Sequence, residues 1–154
     1  MQLDPVSGWC EGVCHCPSPN FNERPSGEIS LLVIHNISLP PGQFATGKVQ
    51  AFFQNRLDVT EHPYFEGISA LRVSAHFLIE RDGQITQFVS CLDRAWHAGV
   101  SSFEGRETCN DFSLGIELEG TDELPFTDAQ YQALTALSRQ LQAAFPDITP
   151  RRIG

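Results

Sequence analysis

Leu31-Leu32-Val33-Ile34-His35-Asn36 is a run of four apolar residues that ends on an imidazole the run itself does not need. Between Pro- and Gly-rich flanks, such a run predicts a buried strand. A polar side chain at the end of a buried strand sits where an α/β fold opens its cleft, so His35 is the first candidate for chemistry.

Working outward, Ala75–Glu80 and Gln84–Val89 flank Asp82-Gly83, a pattern that predicts an antiparallel hairpin. Ser113–Glu119 alternates, with Leu114, Ile116 and Leu118 on one face and Glu117 and Glu119 on the other. That alternation has two readings. Either the strand is central and sets Glu117 beside His35, or it is an edge strand with a solvated acidic face. Val49, Phe52, Phe53 and Leu57 predict a short helix from about 48 to 58, its aromatics serving as core. Thr127 and Gln130 have capping-box spacing, and Tyr131, Leu134, Leu137, Leu141 and Phe145 continue a helical stripe to Pro146. Sheet plus flanking helices make one α/β domain with a mixed β-sheet. Residues 1–29, rich in Pro, Gly and Asn, read as an irregular N-terminal arm pinned to the 30–154 domain by Trp9, Val13 and Phe21. Residues 59–74 and 93–112 read as loops, the first placed to cover a cleft.

Composition excludes several classes. A net charge of −9 argues against gripping nucleic acid or anionic lipid, which calls for clustered Lys and Arg. No stretch approaches the roughly 20 apolar residues of a membrane span, and Met1-Gln2-Leu3-Asp4-Pro5 has neither the basic nor the apolar region of a signal peptide. A cytoplasmic protein without nucleic-acid or membrane partners is expected. Its five cysteines then read as free thiols. Cys10, Cys14 and Cys16, with His15 among them, are weighed as a metal knuckle, but the spacing is poor for zinc and no second paired arm follows.

His35 and Glu117 together suffice for general acid–base work, because a carboxylate in a partly buried strand has its pKa raised and can exchange protons with water. They do not name a substrate. A Cys/His hydrolase is possible on composition, yet no Cys is followed by a recognisable elbow or helix start.

Five stretches carry a family resemblance: Leu32-Val33-Ile34-His35-Asn36, Ser74-Ala75-His76-Phe77-Leu78-Ile79, Ala95-Trp96-His97-Ala98-Gly99, Asn110–Gly120 and Thr127-Asp128-Ala129-Gln130-Tyr131. Together they resemble the zinc N-acetylmuramoyl-L-alanine amidases, and within them the cytosolic AmpD-type branch of cell-wall recycling, over nearly the whole chain. The resemblance implies a mixed sheet with flanking helices and a Zn²⁺ held by two His and one Asp. It implies an anhydro-muropeptide substrate, cleaved at the amide between the lactyl group of anhydro-N-acetylmuramic acid and L-alanine, by a protein expected to be a monomer. His35 matches the first zinc ligand and Glu117 the carboxylate that activates water; Asn36, Tyr64 and Arg72, with Trp96 and His97 close by, match the substrate groove. The second zinc histidine is expected directly after a stretch like Ile153-Gly154, and the aspartate ligand after that. Residues 1–154 therefore hold one of the three expected protein ligands and read as an amidase domain lacking its C-terminal portion. Two outcomes are open: a part of an active enzyme, or a truncated, non-catalytic muropeptide-binding remnant.

Overall fold

The computed structural model describes residues 1–154. Its main sheet has five strands: β1 (Cys14–His15), β2 (Leu31–Ile37), β3 (Phe77–Ile79), β4 (Ile85–Gln87) and β5 (Ser113–Glu119). They lie in the order β1-β4-β3-β5-β2. The expected hairpin is β3–β4, antiparallel, and its turn uses Gly83 at a φ of +86°, a conformation that glycine adopts without penalty. The other pairings are parallel, so the sheet is mixed, as expected.

β5 is interior. Its register sets Glu117 beside His35 of β2 and Leu78 of β3, and all seven of its residues are buried. The edge-strand reading of the two glutamates is thereby overturned. Glu119 is only 4% exposed, and its carboxylate accepts the Ala45 N–H at 2.9 Å and the Arg81 N–H at 3.2 Å. Protein donors do the work that water would do on an open face.

Alternate side chains go to opposite faces of a strand. On one face Leu32, Leu114, Ile116, Leu118, Phe77 and Ile79 pack against Leu137 and Leu141 of helix α2, residues Asp128–Ala144, which opens on the expected Thr127–Gln130 capping box. Tyr131, at one end of the expected stripe, instead points outward and is 52% exposed. Gln130 is fully buried. Its Nε2 donates to the carbonyls of Ile79 (3.1 Å) and Glu119 (2.8 Å), and its Oε1 accepts the Thr127 N–H (3.0 Å). One amide thus ties the start of α2 across β3 and β5. Gln130→Leu keeps the bulk and strands these partners, each at roughly 1–3 kcal/mol. Urea unfolding should show a loss of roughly 2–4 kcal/mol; a loss below about 1 kcal/mol would mean that the carbonyls find other donors.

On the opposite face, Val49, Phe52 and Phe53 of helix α1 (Lys48–Phe53) pack with Leu39, Phe65 and Leu78. The helix stops at Phe53, not near residue 58. The Phe53 carbonyl, which would continue the ladder, is taken by Ser18 Oγ (2.5 Å) and Asn20 Nδ2 (3.3 Å), and Asn55 turns left-handed at φ +61°. Leu57 still packs against this cluster, so its helical spacing reflects burial rather than helix.

The arm is more ordered than its composition implies. It supplies β1 to the sheet, buries Leu3 and Cys10 and packs Val13 on the core. Phe21 does not pin it, being 45% exposed; the polar side chains of Ser18 and Asn20 do, through the α1 terminus. Trp9 stacks beside His15, ring centroids 5.0 Å apart. Cys10 lies in the core while Cys14 is on the surface, and the stretch brings no three metal-binding side chains together. Residues 59–74 contain a single 3₁₀ turn, Pro63–Gly67, whose Phe65 is buried. Residues 93–112, expected as loop, hold a strand at Arg94–Ala95 paired with Phe21–Asn22, a small hairpin of Ser102–Phe103 with Arg106–Glu107, and a 3₁₀ turn at Cys109–Asp111. No helix is long and apolar enough to cross a membrane.

Candidate functional site

Because parallel register partners share a face, His35 and Glu117 stand side by side on the face opposite α2. Two hydrophobic groups cover the rest of that face. The α1 cluster lies over Leu78 and Ile37, and Ala98 and Phe103 pack with Leu31, Val33 and Phe112. His35 and Glu117 fall between them.

Glu117 is 8% exposed, and burial pushes its carboxyl up to about 8. Its Oε2 is buried without a hydrogen-bond partner. This is unusual for a native interior, where buried polar atoms are nearly always paired, and it marks the group as kept for something other than stability. His35 is partly buried, which lowers its pKa. Its Nε2 lies 3.2 Å from Nδ1 of His97, whose Nε2 lies 3.1 Å from Ser113 Oγ. Ser113, His97 and His35 thus form one hydrogen-bonded row.

His97 reaches the row because β5 carries no side chain at Gly115. A Cβ there would stand 2.5 Å from the His97 ring, so glycine is required by close approach. The loop before it is held from behind, where Asn110 Oδ1 accepts the N–H groups of His97 (3.1 Å) and Ala98 (2.9 Å). Burial, then the neighbouring His76 and His35, hold the His97 pKa well below its ordinary value. His76 plays a different part. Its Nδ1 accepts the Gly115 N–H at 3.0 Å and its Nε2 faces the Asp93 carbonyl at 2.9 Å. The second bond requires an Nε2 proton, so His76 is a satisfied, neutral core histidine, with a pKa lowered to about 3 by burial and by Arg24. His62 accepts the Tyr64 N–H and His15 bonds the Cys10 carbonyl, both away from the row.

The expected groove residues are distributed unevenly. Asn36 follows His35 on β2, is exposed, and donates to Asp122 Oδ1 at 2.8 Å. Trp96 precedes His97 and is partly buried, its indole N–H donating to Asn22 Oδ1 at 2.8 Å. Tyr64 and Arg72 are exposed on the 59–74 segment. Arg72 donates to the carbonyls of its own loop, Ser69 and Leu71, and neither side chain bonds to His35 or Glu117. The site residues that sequence reading misses are Ser113, Asn110 and Asn22. Only Gly115, which leaves the Glu117 face of β5 without a side chain at that position, leaves a trace in the sequence. The hollow between residues 1–5 and the end of α2 lies elsewhere and is lined by no His, Cys, Asp or Glu.

No three His, Cys, Asp or Glu side chains of residues 1–154 converge on one point. A catalytic zinc takes about three protein donors, so these residues do not by themselves fit a zinc ion; His35 offers one donor. Beside it the chain's terminal residues run along β2. Ile153 pairs with Leu32 in parallel, and Gly154 accepts the Ile34 N–H at 2.7 Å.

Comparison with known proteins places the chain in a family. A family model described as N-acetylmuramoyl-L-alanine amidase matches residues 25–154. The chain is 61% identical over 137 residues to the 1,6-anhydro-N-acetylmuramyl-L-alanine amidase AmpD of Haemophilus influenzae, covering 88% of this chain and 74% of that protein. The crystal structure of a selenomethionine AmpD derivative superposes with a TM-score of 0.95 at 54% identity, over 99% of this chain and 84% of the other. A more distant structure, Escherichia coli AmiD in complex with anhydro-N-acetylmuramic acid-L-Ala-D-γ-Glu-L-Lys, matches with a TM-score of 0.55 at 28% identity, over 81% of this chain and 47% of that one.

Proposed function

Because the chain belongs to the N-acetylmuramoyl-L-alanine amidase family, we propose that it hydrolyses the amide joining anhydro-N-acetylmuramic acid to the L-alanine of its stem peptide, in zinc-dependent, cytoplasmic cell-wall recycling. The observation that carries this reading is Glu117: a buried carboxyl beside His35, with one oxygen unpartnered. Its close relative is named for the same bond, and a structural neighbour holds a substrate of this kind.

Glu117 supplies the proton chemistry. Burial holds its pKa at about 8, near neutral pH, where one group can both take up and give back a proton. The carboxylate accepts a proton from water as the water oxygen bonds to the lactyl carbonyl carbon. The tetrahedral adduct then loses its C–N bond, and the proton held on Glu117 passes to the departing alanine nitrogen. The products are the free lactyl carboxylate and a peptide with a free α-amine. His97 and Ser113 orient His35, the one zinc donor proposed among these residues. Asn36, Tyr64, Arg72 and Trp96 are proposed to line the groove for a monomeric enzyme.

Incubation with anhydro-muramyl-tripeptide, followed by mass spectrometry, tests the reading. In a chain long enough to supply the other two expected zinc ligands, release of both products, abolished by a zinc chelator and restored by added Zn²⁺, is the expected result. Turnover that survives complete metal removal would reject the zinc dependence. Muropeptide binding with no product would identify residues 1–154 as a non-catalytic binding form.

A further inference from the structure

We propose that Asn22, on the N-terminal arm, is a positioning residue that fixes the Trp96 indole and, through it, one wall of the muropeptide groove. This rests on the reading above that Trp96 lines the groove.

The main chain of Trp96 is already held. Its N–H donates to Ser74 Oγ at 3.1 Å and its carbonyl accepts the Ser74 N–H at 3.0 Å. Ser74 Oγ donates in turn to the Asn20 carbonyl at 2.6 Å. What remains free is rotation of the ring about its two side-chain torsions. An indole has one polar atom, a donor, and that N–H is bonded to Asn22 Oδ1 at 2.8 Å. The ring therefore has a single directional restraint, and the arm provides it.

Asn22 is itself fixed. It pairs in antiparallel register with Arg94, and its Oδ1 also faces Arg94 Nη1 at 3.3 Å. Arg94 is locked by its Nε–Asp111 Oδ1 ion pair at 2.8 Å. Both neighbours of Oδ1 are donors only, so the oxygen, not the amide nitrogen, must face them. Asn22 is exposed, and exposed side chains of this sort contribute little to folding. Its removal should be felt by the ring and its ligand rather than by the fold. A flat aromatic ring with its torsions restrained in advance binds without an ordering cost, which is what a sugar-ring wall requires.

Trp9 and Trp96 are the only tryptophans, so ¹H–¹⁵N spectra hold one indole signal to test and one internal reference. Binding of anhydro-muramyl-tripeptide is measured in a Glu117→Gln background, so that substrate is not consumed. Asn22→Ala should shift the Trp96 indole signal and speed its solvent exchange, leave Trp9 and the unfolding midpoint unchanged, and weaken binding by about 3- to 10-fold, one net hydrogen bond's worth. Asn22→Asp, which keeps the acceptor, should restore both signal and affinity. An unmoved Trp96 signal in Asn22→Ala overturns the inference, as does an equal loss of affinity in Asn22→Asp. Trp96→Ala separates the two readings: if it leaves affinity intact, the fault lies in placing Trp96 at the groove, and the inference falls with that placing.

Discussion

Glu117→Gln should lower muropeptide turnover by ~10²- to 10⁴-fold, the usual contribution of a positioned acid–base group, while muropeptide affinity stays near that of the parent. The amide matches the carboxyl in size and cannot carry the proton. The same substitution should change how stability depends on pH. Burial raises the Glu117 pKa from 4.5 to about 8. Below pH 4.5 the carboxyl is neutral in folded and unfolded chains alike and has no pH-dependent effect. Between these values the unfolded chain ionises while the fold keeps its proton, so stability falls as pH rises, by up to about 5 kcal/mol at ~1.4 kcal/mol per unit. Above pH 8 the loss is complete. The variant has no proton to lose. In metal-free protein its unfolding free energy, followed by urea titration from pH 4.5 to 9, should lack this decline, making it the more stable form in the alkaline range. Parallel pH profiles for parent and variant would refute the buried, protonated carboxyl. Undiminished turnover would refute its catalytic role.

The second large effect is expected at Gly115. A methyl there collides with the His97 ring, which lies 2.5 Å from the Cβ position, and β5, held between β2 and β3, has no room to retreat. Overpacking of this kind costs about 1–3 kcal/mol. The ring must swing away, and with it go the bonds to His35 and Ser113. A displacement of about 1 Å at a reacting centre can cost ~10²-fold in rate, so Gly115→Ala should be nearly inactive as well as less stable. The double-mutant cycle with His97→Ala identifies the cause. If the clash is with the imidazole, the stability cost of Gly115→Ala should largely vanish once that ring is gone. A cost that persists in the double variant would place the strain in the strand itself.

What the sequence revealed depended on how local the cause was. The β2 run, the Asp-Gly hairpin and the Thr127–Gln130 cap are set by residues within a few positions of one another, and each is found where expected. His35 and Glu117 as a pair were legible because β2 and β5 both carry strong strand patterns. The acidic face of β5 was ambiguous because Glu119 is satisfied by Ala45 and Arg81, 74 and 38 residues away, and no local pattern announces such donors. The end of α1 is not legible locally for the same reason, since Phe53 gives its carbonyl to the arm. His97 looked like a loop residue because its seat is made by an absent side chain at Gly115. Trp96 could be suspected from its motif, but its partner Asn22 lies 74 positions away.

The parallel pairing of β5 with β2 joins residues 113–119 to residues 31–37, and it also creates the His35–Glu117 pair. Closing so long a connection is entropically costly, and non-local pairings of this kind slow folding. A nascent or partly folded chain that holds only its hairpin and α2 still lacks the His35–Glu117 pair. If that pair is the proposed acid–base centre, hydrolytic competence is all-or-none with respect to folding, and a misfolded population dilutes the enzyme without producing a weakly active one.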